Sequence, residues 1–132
     1  MTRREAREQA FCLLFEQAAG GGEMEEILQA AQEARDLVPN SFTESLVFGV
    51  EENRDKIDGL IRENLRGWSI RRLSKVSLAV LRLAIYEMLY EPAIPSSVSI
   101  NEAVELAKTY GGQGDSAYVN GVLSSVNKSR CS

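Results

Sequence analysis

The sequence predicts an all-α protein, a single domain over residues 1–132 with about seven helices around one core. Three observations carry that expectation. Nearly every segment repeats its apolar residues at helical spacing, and no alternating run bounded by hairpin signals occurs. Glycine and proline fall where the helical pattern breaks, at Gly20-Gly21-Gly22, Pro39, Pro92, Pro95 and Gly111-Gly112. A chain of 132 residues with 44% hydrophobic content suits one real core and leaves no room for a second.

Taken in order, Thr2-Arg3-Arg4-Glu5 fits a capping box, Thr2 capping the helix and Glu5 reaching back, so a first helix begins at once and runs to the triple glycine. A second fits residues 23–37 and ends near Pro39. Ser41-Phe42-Thr43-Glu44 reads as another capping box opening a third, with Phe42, Leu46, Gly49 and Val50 on one side. Ile57, Leu60, Ile61 and Leu65 continue the pattern in a fourth, closed by Gly67-Trp68. Residues 73–90 are apolar on almost all sides, the signature of a central buried helix. After the connection imposed by Pro92 and Pro95, Ser99-Ile100-Asn101-Glu102 is a third capping-box match and starts a helix to Gly111-Gly112. Asp115 caps the last helix, whose stripe is Tyr118, Val119, Val122, Leu123 and Val126. There is no repeat at solenoid periods, and the three glycines are the one low-complexity stretch.

The residue inventory argues against an enzyme. With no histidine in the chain, the usual general base, histidine-containing metal sites and Ser-His or Cys-His pairs are absent, and no glycine-rich phosphate loop accompanies the carboxylates and lysines. No cofactor or metal is expected. Cys12, inside an amphipathic segment, and Cys131, beside the end of the chain, make a poor disulfide framework. The amino-terminal arginines precede only a short apolar patch, which fits neither a signal peptide nor a membrane anchor and predicts a cytoplasmic protein without membrane contact.

A net charge of −4 does not advertise a nucleic-acid binder, but its distribution is polarised. Arg3, Arg4 and Arg7 crowd the amino end, and Arg62, Arg66, Arg71, Arg72 and Lys75 form a second basic region, while Glu23, Glu25, Glu26, Glu44, Glu51 and Glu52 gather elsewhere. Around the first helix, Ala6, Ala10, Phe11, Leu13, Leu14 and Phe15 make an apolar face, with Glu5, Glu8, Gln9 and Glu16 opposite. The three arginines fall on the apolar side and extend it past the edge of the core. There they sit at the positive end of the helix dipole, where cations are disfavoured and an anion such as phosphate is welcome. The alternative is a solvated face with Arg4 pairing Glu8 at i,i+4.

The opening "RREAREQAFCLLFE", "VLRLAIYEM" at 80–88, "IPSSVSINEAVELAKTYG" at 94–111 and "YVNGVL" at 118–123 together resemble the NusB family of small bacterial transcription antitermination and ribosomal-RNA biogenesis factors. The resemblance implies two packed helical subbundles and binding of boxA-type single-stranded RNA. It also implies cooperation with the ribosomal protein NusE, in support of ribosomal RNA transcription by an elongation complex carrying other Nus factors. Arg3, Arg4 and Arg7 match the family's arginine motif for RNA, and Tyr118 stands where an aromatic opens its "FVNG" motif, a stacking platform beside arginines if it is not simply core. Ser77 falls on the implied partner surface. Arg82 and Glu87 are expected in a structural charge network. Asn120 and Gly121 are assigned to close packing inside a helix, ahead of direct RNA contact, because polar helix positions near small residues usually satisfy buried partners, and a close approach would explain a Gly that costs near 1 kcal/mol relative to Ala. The chain departs from the family's pattern at Ser77, Leu78, Ala117 and Ser124. Two other readings remain: a protein-interaction module without RNA, and a fragment of an RNA cytosine methyltransferase with a NusB-like amino-terminal domain. A monomer or weak homodimer is expected.

Overall fold

The computed structural model describes residues 1–65 and 69–131. Arg66 of the second basic region and the expected Gly67-Trp68 break lie outside the described residues, as does the side chain of Cys131. The described residues form seven helices, α1 (Arg3–Gly20), α2 (Met24–Arg35), α3 (Ser41–Glu52), α4 (Arg54–Asn64), α5 (Lys75–Tyr90), α6 (Ser96–Tyr110) and α7 (Asp115–Cys131), with a 3-10 turn at Ile70–Arg72 before α5. No strand occurs among them.

Local chemistry sets the ends. The expected capping box opens α1: the Glu5 N–H donates to Thr2 Oγ1 at 3.1 Å and the Thr2 N–H donates to Glu5 Oε1 at 3.0 Å. The helix stops because Gly21 and Gly22 turn into positive φ, 75° and 100°, where a Cβ is disfavoured. The helix α2 ends earlier than residue 37, at Asp36 in the left-handed region with φ 52°. The two other capping boxes are corrected. Asn40, not Ser41, caps α3, its Oδ1 accepting from the Phe42 N–H at 2.8 Å. The helix α6 starts at Ser96 behind Pro95, whose ring fixes a φ suited to a helix start, so Ser99 lies a turn inside and buried. Asp115 is the first residue of α7, and its carboxylate accepts from the Gly112 N–H at 2.9 Å, closing the preceding turn instead of capping the helix ahead.

The helices pack as two subbundles. In the first, α1 carries α2 and α3; in the second, α4, α6 and α7 gather on α5. The apolar surround of α5 explains its position: it touches α1, α3, α4, α6 and α7, burying Leu81, Leu83 and Ile85 among others. Buried side chains from all seven helices form one contiguous cluster. A close approach does demand a missing side chain, at Gly49, where an added Cβ would overlap the Tyr86 ring of α5. Gly121 is the opposite case. It is exposed on α7, open space surrounds the place of its Cβ, and Asn120 beside it is exposed as well. The packing role expected for this pair is therefore corrected: nothing among the described residues requires the Gly.

Candidate nucleic-acid interface

At the amino end of α1 the three arginines meet different surroundings because successive residues point about 100° apart around the helix. Arg3 is exposed and lies over the Phe42 ring of α3, its guanidinium carbon 3.8 Å from the ring centroid. Arg4 crosses to α6, donating from Nε to Glu102 Oε1 at 3.0 Å and from Nη2 to Oε2 at 2.8 Å, so the expected i,i+4 partner Glu8 is not the one it takes. Its side chain remains 75% exposed. Arg7 turns inward. Its side chain is 7% exposed, and Nε donates to both oxygens of Glu87 on α5, at 3.0 and 2.9 Å. Glu87 also accepts from Ser99 Oγ at 3.2 Å, and Arg7 Nη1 lies 3.6 Å from Glu102. Arg7, expected to meet RNA, is instead committed inside the protein, its buried guanidinium held by a buried carboxylate.

These carboxylates answer the electrostatic problem at the helix start. Cations beside the positive end of the dipole are disfavoured there, and Glu87 and Glu102 supply the opposing charge. The hydrogen bond from Arg4 holds the Glu102 carboxyl below its ordinary range against the opposing effect of burial, and the same bond raises the Arg4 guanidinium. A shallow hollow of about 140 Å³ opens beside them, lined by Arg4, Arg7, Glu8, Glu102, Glu105 and neighbouring residues.

Tyr118 lies elsewhere. It is half-buried on α7 at the edge of a groove of about 470 Å³ that also includes Asn64, Gly121 and Lys128, and of a second hollow that includes Arg72, Ser74 and Asp115. The hollow at Arg4 and the groove at Tyr118 share no lining residue. The aromatic ring beside the arginines is Phe42. Its sequence signal was its place on the apolar side of α3, which did not distinguish it from ordinary core. Ser77 is 2% exposed and its N–H donates to Ser74 Oγ at 3.0 Å, so its side chain is not a partner-facing contact. Arg82 and Glu87 fall in two separate pairs: Arg82 holds Asp58 of α4 through two bonds of 2.9 Å, while Glu87 holds Arg7. Arg62, Arg71, Arg72 and Lys75 are exposed.

Cys12 is a free thiol, half-buried, and burial together with the Glu8 charge raises its pKa. Among the described residues no group of His, Cys, Asp or Glu is arranged to hold a metal ion, and no helix is long and apolar enough to cross a membrane.

Fold and site thus define a small helical protein whose exposed arginines are braced by the core at the start of its first helix. Residues 4–128 match the model of the NusB family. The transcription antitermination protein NusB of Clostridium botulinum (strain Loch Maree / Type A3) is 40% identical, over 93% of this chain and 97% of its own. Among solved structures, T. maritima NusB aligns with a TM-score of 0.85 at 36% identity over 97% of this chain and 92% of that one. The antitermination factors NusB and NusE in complex with double-stranded RNA supply another match, TM-score 0.85 at 27% identity over 96% of each chain. The chain belongs to the NusB family.

Proposed function

We propose that this protein is a bacterial transcription antitermination factor that binds boxA-type single-stranded RNA through the amino end of α1, cooperatively with the ribosomal protein NusE, and supports ribosomal RNA transcription within an elongation complex. The observation that carries the reading is the pair of adjacent, exposed arginines, Arg3 and Arg4, each with its guanidinium held by a side chain of another helix. Bracing lowers the entropy lost when a long side chain binds, which favours a recognition surface over a solvated face. A relative named as an antitermination protein and a homologous fold solved with NusE and RNA support the same reading. Arg7 acts at one remove, holding α1 on α5. Tyr118, between Arg72 and Lys128, offers a second place for a base to stack on the way along the surface.

With a net charge of −4 the chain has little long-range attraction for a polyanion, so RNA binding is local and weak until a basic partner docks alongside. Titration of boxA-type and scrambled RNA, with and without NusE, tests this. Preference for boxA that strengthens with NusE is expected. NusE binding with no preference among RNAs would leave a protein-interaction module.

A further inference from the structure

We propose that Arg3, backed by Phe42, is a stacking platform for one nucleobase and not a phosphate contact, and that Phe42 is the positioning residue that sets the guanidinium in place. This rests on the RNA-binding reading above. A guanidinium offers two chemically different approaches: its edge donates N–H groups to phosphate, and its flat face stacks. At 3.8 Å from the ring centroid, the Arg3 guanidinium is at stacking distance over Phe42, so one face is already taken by an aromatic ring and the exposure of the residue belongs to the other face and the edges. Arg7 lies 5.8 Å from the same ring, adding a second cation to its surroundings.

The ring is itself held. The Phe42 N–H is bound to Asn40 Oδ1 at 2.8 Å, and next along the helix Thr43 Oγ1 donates to the Ala6 carbonyl of α1 at 3.1 Å, which ties the first turn of α3 to the helix that carries Arg3. The ring packs against the shared core. A base arriving on the open face would complete a base–guanidinium–phenyl stack. The neighbouring Arg4, whose Nε and one Nη2 hydrogen are committed to Glu102, still has N–H donors on its edge for a phosphate. Adjacent arginines thereby divide the work, one addressing a base and the other the backbone.

Stacking and phosphate contact separate experimentally, because only the latter releases counterions. Wild type, Arg3→Lys, Arg3→Ala and Phe42→Leu are titrated with a short boxA-type single-stranded RNA over a salt series, and with copies carrying one abasic nucleotide at each position in turn. Lysine keeps the charge and loses the plane. Arg3→Lys and Phe42→Leu should each weaken binding about five- to tenfold, the lower part of the range for losing one stacked base, with the salt slope unchanged. Both losses should vanish on the RNA that is abasic at one and the same position. Wild-type affinity in Arg3→Lys, or a slope reduced by about 0.7 in Arg3→Ala with no abasic position that cancels the loss, would return Arg3 to phosphate. If Phe42→Leu melts early, Arg3→Lys, which leaves the ring in place, decides the matter. A wild type that binds none of these RNAs overturns the RNA reading itself, and the platform with it.

Discussion

Arg4 and Arg7 stand three positions apart on one helix, yet their loss should be felt in different assays. Removing one member of a buried pair leaves an uncompensated charge, so Arg7→Ala should lower stability by about 3–5 kcal/mol through the stranded Glu87 carboxylate, read by denaturant unfolding. Arg4→Ala should cost much less stability than that, because its pair with Glu102 is largely exposed, while weakening RNA binding and flattening its salt slope by about 0.7. Glycines give a second contrast. Gly121→Ala should stabilise the protein by up to about 1 kcal/mol, since the site is open and helical. Gly49→Ala should destabilise it by about 1–2 kcal/mol, because the new methyl must displace the Tyr86 ring from its contact with Tyr90. The periodicity of α1 already put all three arginines on its core-facing side. It could not sort them, because Arg7 and Arg4 take carboxylate partners 80 and 98 residues further along and Arg3 takes the ring of Phe42 on α3. Gly121 misled for a related reason: Asn-Gly inside an apolar helix looks like packing until the neighbouring helices are placed.

At the level of elements, the helices were legible, as was the capping box of α1, but the caps of α3 and α6 were not. Hydrophobic spacing identified each helix, and α5 as the central one, because burial on every side leaves an apolar surface on every side. The Ser-x-x-Glu pattern marked the starts of α3 and α6 wrongly because it is short and has competitors. Asn40 is as good a cap as Ser41 and comes first, and Pro95 opens α6 before Ser99 is reached. Ser99 is drawn inside by a tertiary partner, Glu87, that no local pattern reveals. Thr2→Ala and Asn40→Ala should each lower stability by about 1 kcal/mol, the usual loss for a side-chain cap. Ser41→Ala, at an exposed position without a capping bond, should stay within about 0.5 kcal/mol in the same melts.

Across the whole molecule, acid should loosen the junction of the subbundles. Arg4 holds the Glu102 carboxyl below its ordinary 4.5, and the capping bond from the Thr2 N–H does the same for Glu5. A depressed native pKa contributes stability above the unfolded value, which is lost as pH falls through the native one. Melting temperature should therefore be flat above about 4.5 as far as these groups are concerned and decline below it, and the gap between wild type and Glu102→Gln should close over that acid range. The reach of these pairs along the chain bears on biogenesis. Arg4 finds its partner 98 residues downstream and Arg7 finds its own 80 downstream. During synthesis the first helix emerges long before α5 and α6, and domains consolidate only once their non-local contacts exist. A nascent chain that stops short of α5 would carry the arginines but neither Glu87 nor Glu102, and one that stops short of α6 would still lack Glu102. The arginine-bearing start of α1 is thus among the last parts of the fold to take its final shape, although it precedes the other six helices.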